Sequence, residues 1–209
     1  MFFNFNAAPP SFKVTFLLLT NTSQFDDLPT TTKALPATYS SLSFTNFTLA
    51  RPNETMNQYL TPYNNSLNYI RLRAGYTGLI TISAAAAAKY PGSLDFFKIE
   101  SLALGCSLPS TSARHEQVTN CTIEIVGMCA GPNSTSTQDV EAITWEMSYV
   151  AGEERKGAEL TMTEMGTYGE KYFCQNFTVK GVPAVPGNKL PVVWMDQMQV
   201  VEYTESAIF

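Results

Sequence analysis

Apolar and polar residues alternate with period two through much of the chain. In Ile143–Tyr149, Ile143, Trp145, Met147 and Tyr149 stand on one parity, and Thr144, Glu146 and Ser148 on the other. Cys121–Val126 sets Ile123 and Ile125 against Thr122 and Glu124. This alternation predicts half-buried strands, because successive side chains of a strand point to opposite faces. In Phe96–Leu104, Phe96, Lys98 and Glu100 share one parity; Phe97 and Ile99 take the other, and Leu102 follows out of step. One surplus residue, a bulge, accounts for the shift. Leu42–Leu49 alternates in the same way, with a shift between Phe44 and Phe47. Leu160–Glu164, Lys171–Val179 and Pro191–Tyr203 complete the strands. Gly152–Gly157 between two of them predicts a six-residue hairpin tip. The best helix candidate is Ser83–Lys89, with alanines at 84–88. Pro91 and Gly92 stop it, and so short a helix is marginal alone, so a loop or a single turn is expected.

Short strands between Gly, Pro, Asn and Ser turns predict an all-β fold, an antiparallel β-sandwich of jelly-roll type. Prolines are scattered rather than clustered into a linker, and no internal repeat is present. One domain over residues 24–209 is therefore expected. Residues 1–23 read as an extension. Met1–Pro10 has no basic residue, and the apolar stretch Val14–Leu19 is short for a secretory leader. Either the leader is removed or atypical, or the start is misplaced, or Phe12–Thr20 is a strand of the fold.

Composition narrows the function. The chain has 209 residues, 44% hydrophobic, 12% aromatic and 15% charged, with a net charge of −5. Thirteen scattered Lys and Arg make no basic patch, which argues against nucleic acid. No apolar run reaches the ~20 residues of a membrane helix, so no membrane span is expected. There is one histidine, His115, in a polar loop. A single His argues against His-based metal sites and Ser-His or Cys-His catalysis.

The compartment follows from other residues. Asn-x-Ser/Thr occurs at Asn21, Asn46, Asn53, Asn64, Asn120, Asn133 and Asn176, roughly three times what chance placement of 13 asparagines would give. Such acceptors point to surface positions of a secreted glycoprotein. Four cysteines, Cys106, Cys121, Cys129 and Cys174, allow two disulfides in three pairings. Cys106 and Cys121 flank a polar loop between two strands, and a loop of that size closed by a disulfide contributes about 3 kcal/mol. Cys106–Cys121 is the favoured pair, which leaves Cys129–Cys174. Gly127-Met-Cys-Ala-Gly131 also fits a nucleophile elbow with Cys in place of Ser. That motif needs a following helix and a His partner, and Pro132-Asn133 follows instead.

Two acidic segments stand near the ends of the domain: Phe25-Asp26-Asp27-Leu28-Pro29, and Val192–Val200 with Asp196. Trp194, Asp196, Met198 and Val200 share the apolar parity. A core-facing Asp is costly unless paired or metal-bound. First and last strands of antiparallel sandwiches often pair, which would bring Asp26 or Asp27 to Asp196 around one cation. Carboxylates alone suit Ca²⁺, in a structural role.

Five stretches resemble, each in its place, stretches of a known group of proteins. They are Phe-Asp-Asp-Leu-Pro (25–29), Pro-x-x-Tyr-x-x-Leu-x-Phe-x-x-Phe (36–47), Leu-Asp-Phe-Phe-Lys-Ile-Glu-Ser-Leu-Ala-Leu-Gly-Cys-Ser-Leu-Pro (94–109), Asn-Cys-Thr-Ile-Glu-Ile-Val-Gly (120–127) and Trp-Met-Asp-Gln-Met-Gln-Val (194–200). In this order they look like a group of secreted fungal proteins of uncharacterised function, similar to jelly-roll carbohydrate-binding modules of galactose-binding-like fold. The resemblance spans about residues 24–203. It implies glycan recognition, and it places Asp26, Asp27 and Asp196 where such modules hold a structural Ca²⁺.

Two further features bear on function. Tyr59, Tyr63, Tyr69, Tyr76 and Tyr90 cluster among Asn, Gln, Arg71 and Arg73. Aromatic faces beside amides and charged groups suit sugar rings, and they suit protein partners as well. Tyr59, Tyr63, Tyr69, Arg71 and Tyr76 are thus the candidate ligand-binding residues. Glu146 and Glu164, on strands flanking the expected hairpin, are the candidate carboxylate pair of a glycosidase or lyase, although Glu146 lies on the solvated parity. The expected function is secreted, non-enzymatic recognition of a glycan or cell-wall polysaccharide. A protein-binding, effector-like role is the alternative, and a carboxylate-based hydrolase or lyase the second.

Overall fold

The computed structural model describes residues 15–23, 25, 28, 34–50, 60–61, 68–84, 94–109, 117–130, 140–151, 158–159, 161–164 and 173–206. Among them the fold is all-β, as the alternation implies. Thirteen strands follow in order: β1 (Thr15–Ser23), β2 (Leu42–Thr45), β3 (Phe47–Ala50), β4 (Leu60–Thr61), β5 (Tyr69–Leu72), β6 (Thr77–Ile82), β7 (Leu94–Ser107), β8 (Cys121–Ala130), β9 (Val140–Tyr149), β10 (Ala158–Glu159), β11 (Thr161–Glu164), β12 (Phe173–Pro183) and β13 (Val192–Ser206).

They form two antiparallel layers. In one, β3, β5, β13 and β7 lie side by side, with β1 continuing along β13 and β11 along β7. In the other, the order is β2, β6, β12, β8, β9. The pair Cys174–Phe97 links β12 to β7, so the sandwich closes at one corner in the manner of a barrel. Among the described residues, only the two-residue strands β4 and β10 pair in parallel.

The inward faces interlock. β8 contributes Cys121, Ile123, Ile125 and Cys129; β9 contributes Trp145, Met147 and Tyr149. They meet Ile99, Leu102, Leu104, Val193 and Met195 of the opposite layer. Phe177 anchors the centre, edge-on to Phe97 at 5.1 Å and tilted against Trp145 at 5.8 Å. Edge-to-face rings add stabilisation beyond the area they bury. Both disulfides follow the favoured pairing. Cys106–Cys121 ties β7 to β8 across the layers, and Cys129–Cys174 joins directly opposed residues of β8 and β12. Cys129 is thus a buried disulfide partner within a strand, not a nucleophile on an elbow.

The bulge expected in β7 is present. Ile99 and Leu102 both face the core, so one surplus residue lies between them. Two other expectations are revised, and one of the alternatives left open for the first residues is met. First, β13 has its own bulge: Gln197 takes a φ of +43°, and the register with β7 shifts after Asp196. The single parity expected for Trp194, Asp196, Met198 and Val200 is therefore broken. Val193 and Met195 face the main core before the bulge, and Met198 and Val200 face it afterwards. Trp194 points to the opposite side of the sheet, into a second cluster with Tyr69, Ala50, Ala103 and Val192. Second, β9 and β11 do not form a hairpin. β9 pairs with β8 and β11 with β7, so the chain crosses from one layer to the other between them. Residues 15–23 belong to the sandwich: β1 pairs with β13 from Thr15–Ser206 to Ser23–Met198. The first and last strands do pair.

Gly127 of β8 stands where no Cβ fits: an added carbon would lie 2.7 Å from Cys129 Sγ and 3.0 Å from Cys174 Sγ and Phe177 Cε1. Gly127→Ala should therefore lower the stability measured by chemical denaturation by about 1–3 kcal/mol. Burial pushes the Tyr149 phenol up from 10.0 to about 12. The folded state thus keeps this proton where the unfolded state has lost it, so stability is full below pH 10 and falls as pH rises towards 12. Tyr149→Phe should flatten that alkaline decline in denaturant midpoints while leaving the neutral range little changed.

Candidate functional site

Three turns meet at one end of the sandwich, where β9 and β12 finish and β13 begins. The connection from β12 to β13 reads Pro183-Ala-Val-Pro-Gly-Asn-Lys-Leu-Pro191. Pro186 and the positive φ of Gly187 (+88°) suit the two central positions of a type II turn, and Asn188 N–H donates to the Val185 carbonyl at 3.2 Å. The turn between β5 and β6 is closed by Tyr76 N–H donating to Arg73 C=O at 3.1 Å, with Gly75 at φ +79°. It lies against the first connection, since a Cβ on Gly75 would sit 3.5 Å from Leu190 Cδ1. The third element is the segment before β8. Leu108 N–H donates to Gln117 C=O, and Thr119 N–H to Cys106 C=O, which seats it beside the Cys106–Cys121 disulfide.

An open cleft of about 560 Å³ lies between these turns. Leu108, Val118, Pro183, Val185 and Pro191 form its apolar walls, and Thr119, Asn120, Asn188 and Lys189 supply its polar groups. Asn120 is fixed there, its Oδ1 accepting Ala151 N–H at 2.8 Å. Large apolar side chains project around the cleft: Val150 is 71% exposed, Val185 58%, Tyr76 52% and Leu190 44%. Such residues gathered on loop tips at one end of a fold mark a contact surface more often than scattered single ones do. The cleft combines neutral amides, a hydroxyl and one ammonium with apolar walls. Its lining holds no carboxylate among the described residues, so it can bind and orient a polar ligand but offers no acid–base pair.

The expected tyrosine site divides. Tyr76 is exposed at the cleft end. Tyr69 is not an open platform: it is 1% exposed and stands edge-on to Trp194 at 4.8 Å. The Arg71 guanidinium lies over the same indole, 5.1 Å from its centroid. Trp194 Nε1–H donates to Ser107 Oγ at 2.7 Å, which completes a packed cluster on the outer side of β13 and β5. Tyr59 and Tyr63 lie outside the described residues. Asn188 and Lys189 escape the period-two analysis because they sit in a loop. The Val-Pro-Gly-Asn turn signal was the clue that could have located them.

The proposed calcium ligands are partly placed. Asp196 is fully buried at the β13 bulge, its Oδ1 accepting Gln197 N–H at 2.8 Å. Phe25 and Leu28 bracket the other acidic pair. Asn68, just before β5, donates from Nδ2 to both of their carbonyls, at 2.9 and 3.4 Å. Phe25 N–H donates to Tyr39 Oη at 3.0 Å, and the two rings stack at 4.9 Å. Asp26 and Asp27 themselves lie outside the described residues. Among the described residues, no group of three or more His, Cys, Asp or Glu could hold a metal.

Four of the acceptor asparagines lie among the described residues. Asn46 is exposed in the turn between β2 and β3, its Nδ2 donating to Thr77 C=O at 2.9 Å. Asn176 is half-buried within β12, and Asn21 lies on β1. Asn53, Asn64 and Asn133 lie outside the described residues. Glu146 is exposed on β9 of one layer, and Glu164 lies on β11 of the other. Among the described residues, no helix is long and apolar enough to cross a membrane. Known protein families, curated proteins and solved structures contain no match to this chain.

Tyr69 therefore belongs to the outer packed cluster. Tyr69→Ala should lower thermal and denaturant stability, by about 3 kcal/mol, as for other buried aromatics. Circular dichroism melts of the two proteins measure it; an unchanged midpoint would return Tyr69 to the surface.

Proposed function

We propose that this chain is an extracellular, non-enzymatic recognition module that binds carbohydrate in the loop-end cleft. The observation that carries this reading is the lining of the cleft. Carboxamides of Asn120 and Asn188, the Thr119 hydroxyl and the Lys189 ammonium can bond ring hydroxyls. Pro183, Val185 and Pro191 offer apolar surface to the C–H face of a sugar. A pocket of this size holds small ligands of a few rings. Two disulfides and seven glycosylation acceptors support secretion. The spaced motifs of 25–29, 36–47, 94–109, 120–127 and 194–200 resemble those of secreted fungal proteins of uncharacterised function, themselves similar to carbohydrate-binding modules, and this resemblance is in keeping with the ligand class.

Calcium belongs to the same proposal as a structural ion. The oxygen donors available, Asp196 with Asp26 and Asp27, suit a hard cation. A carboxylate as deeply buried as that of Asp196 is stabilised by a cation nearby. The ion would brace the junction of β13 with the Phe25–Leu28 turn.

A protein partner is the second reading. It is favoured by the four exposed apolar side chains, Tyr76, Val150, Val185 and Leu190, at the cleft end.

The test uses protein made in a bacterial periplasm, where disulfides form and N-glycans are not added. It is offered to a glycan array and to insoluble polysaccharides, with Ca²⁺ and with EDTA. Selective retention is expected, weakened by about tenfold or more in the Asn188→Ala, Lys189→Ala double variant, the equivalent of about 1.4 kcal/mol. EDTA should lower the melting temperature of the wild type and leave that of Asp196→Asn unmoved. Absence of retention on every glycan, with the fold intact, overturns the carbohydrate reading and favours the protein partner.

A further inference from the structure

We propose that an N-glycan on Asn120 folds back into the loop-end cleft and occupies it. The protein would then carry its own first ligand, and outside sugars would reach the site only when that glycan is missing. The proposal rests on the carbohydrate reading of the cleft and adds its regulation.

Four observations converge on Asn120. It opens an acceptor triplet, Asn120-Cys121-Thr122. It is exposed, as an acceptor must be. Of the acceptor asparagines Asn21, Asn46, Asn120 and Asn176, which the structure describes, it is the one that lines the cleft. Its carboxamide is also oriented. Oδ1 is engaged by Ala151 N–H at 2.8 Å, so Nδ2 is the end that takes the sugar. Modification leaves this arrangement intact. In the transfer, Nδ2 forms a bond to the anomeric carbon of a lipid-pyrophosphate-linked oligosaccharide. The bond from that carbon to the pyrophosphate oxygen breaks, and the amide gives up one proton. Nδ2 keeps its other hydrogen, and Oδ1 keeps its lone pairs for Ala151.

The surroundings suit what would be attached. An N-glycan begins with N-acetylglucosamine, whose acetamide methyl and ring C–H groups are apolar and whose hydroxyls are not. Val118, Pro183, Val185 and Pro191 meet the first kind of surface, and Asn188 and Lys189 the second. The volume of about 560 Å³ suits a ligand of small-molecule size, such as the first one or two rings. Tethering makes a weak contact sufficient, because a short link holds the sugar at an effective concentration of about millimolar. A seated glycan would also shield Val185, which both lines the cleft and stands 58% exposed.

The test compares glycan release at two sites of the intact glycoprotein. Native protein is digested with a peptide:N-glycosidase, and the peptides bearing Asn120 and Asn176 are followed by mass spectrometry. Release from Asn120 is expected to be slower by about tenfold or more, consistent with a tethered contact, and the difference should vanish after denaturation. An Asn120 that carries no glycan, or one released from native protein as fast as from denatured protein, overturns the proposal. The carbohydrate reading is tested separately with Thr122→Val, which removes the acceptor triplet and keeps a β-branched residue on β8. Calorimetry with N,N′-diacetylchitobiose should show binding to this variant and binding weaker by about tenfold or more to the wild-type glycoprotein. Binding of equal strength to both counts against the proposal and leaves the carbohydrate reading standing. Protection of the Asn120 glycan without chitobiose binding by the variant means that the glycan is shielded other than by a sugar-binding cleft, and it overturns both the proposal and the carbohydrate reading.

Discussion

Strand β13 carries one residue too many between Met195 and Met198, and its neighbour β7 carries one too many between Ile99 and Leu102. Because side chains alternate across a strand, an odd insertion exchanges its two faces. The paired strands absorb the surplus at nearly the same level, so both resume with apolar residues towards the core. β13 can then pair with β7 on one side, and with β5 followed by β1 on the other. The exchange also sends Trp194 and Asp196 to the outer side of the layer. There Tyr69, Arg71 and Ser107 surround the indole, and Asp196 holds the amide of the bulged Gln197.

Val192–Asp196 at the start of β13 are buried, and the connection before β13 runs directly into that packed segment. The connection before β13 holds two prolines, Pro186 and Pro191, after β12 ends in a third, Pro183. The segment facing it is pinned by the cross-layer disulfide and by hydrogen bonds to its neighbours. These tethers reduce the freedom that the cleft-lining segments would lose on binding. The buried carboxylate is at the bulge and the cleft is at the strand ends, so a brace for the fold and a site for a ligand can occupy separate places.

Several residues owe their roles to these constraints more than to their type. Tyr69 and Tyr76 read alike in the sequence, both tyrosines in a polar, aromatic-rich stretch. One lies inside strand β5, on the face that meets Trp194; the other is the last residue of a tight turn and stays in solvent. Glu146 and Glu164 also read alike, as carboxylates on consecutive strands. The chain changes layers between β9 and β11, and the hairpin that would have joined them does not form. Local pattern cannot distinguish a hairpin from a crossover, because both need only a polar connection.

The amino-acid sequence by itself determined the all-β class, the alternation within β8 and β9, the bulge of β7 and the pairing of the four cysteines. These depend on period-two burial and on short loop closure, which are local. It also marked Asn120 as an acceptor. Only the tertiary structure decided that the β13 bulge turns Asp196 away from the main core, that Tyr69 is packed edge-on against Trp194, and that Asn120, Asn188 and Lys189 line one cleft. Those facts depend on which strands become neighbours. Neighbours are chosen by the packing of two whole layers, over separations in sequence that no local period records.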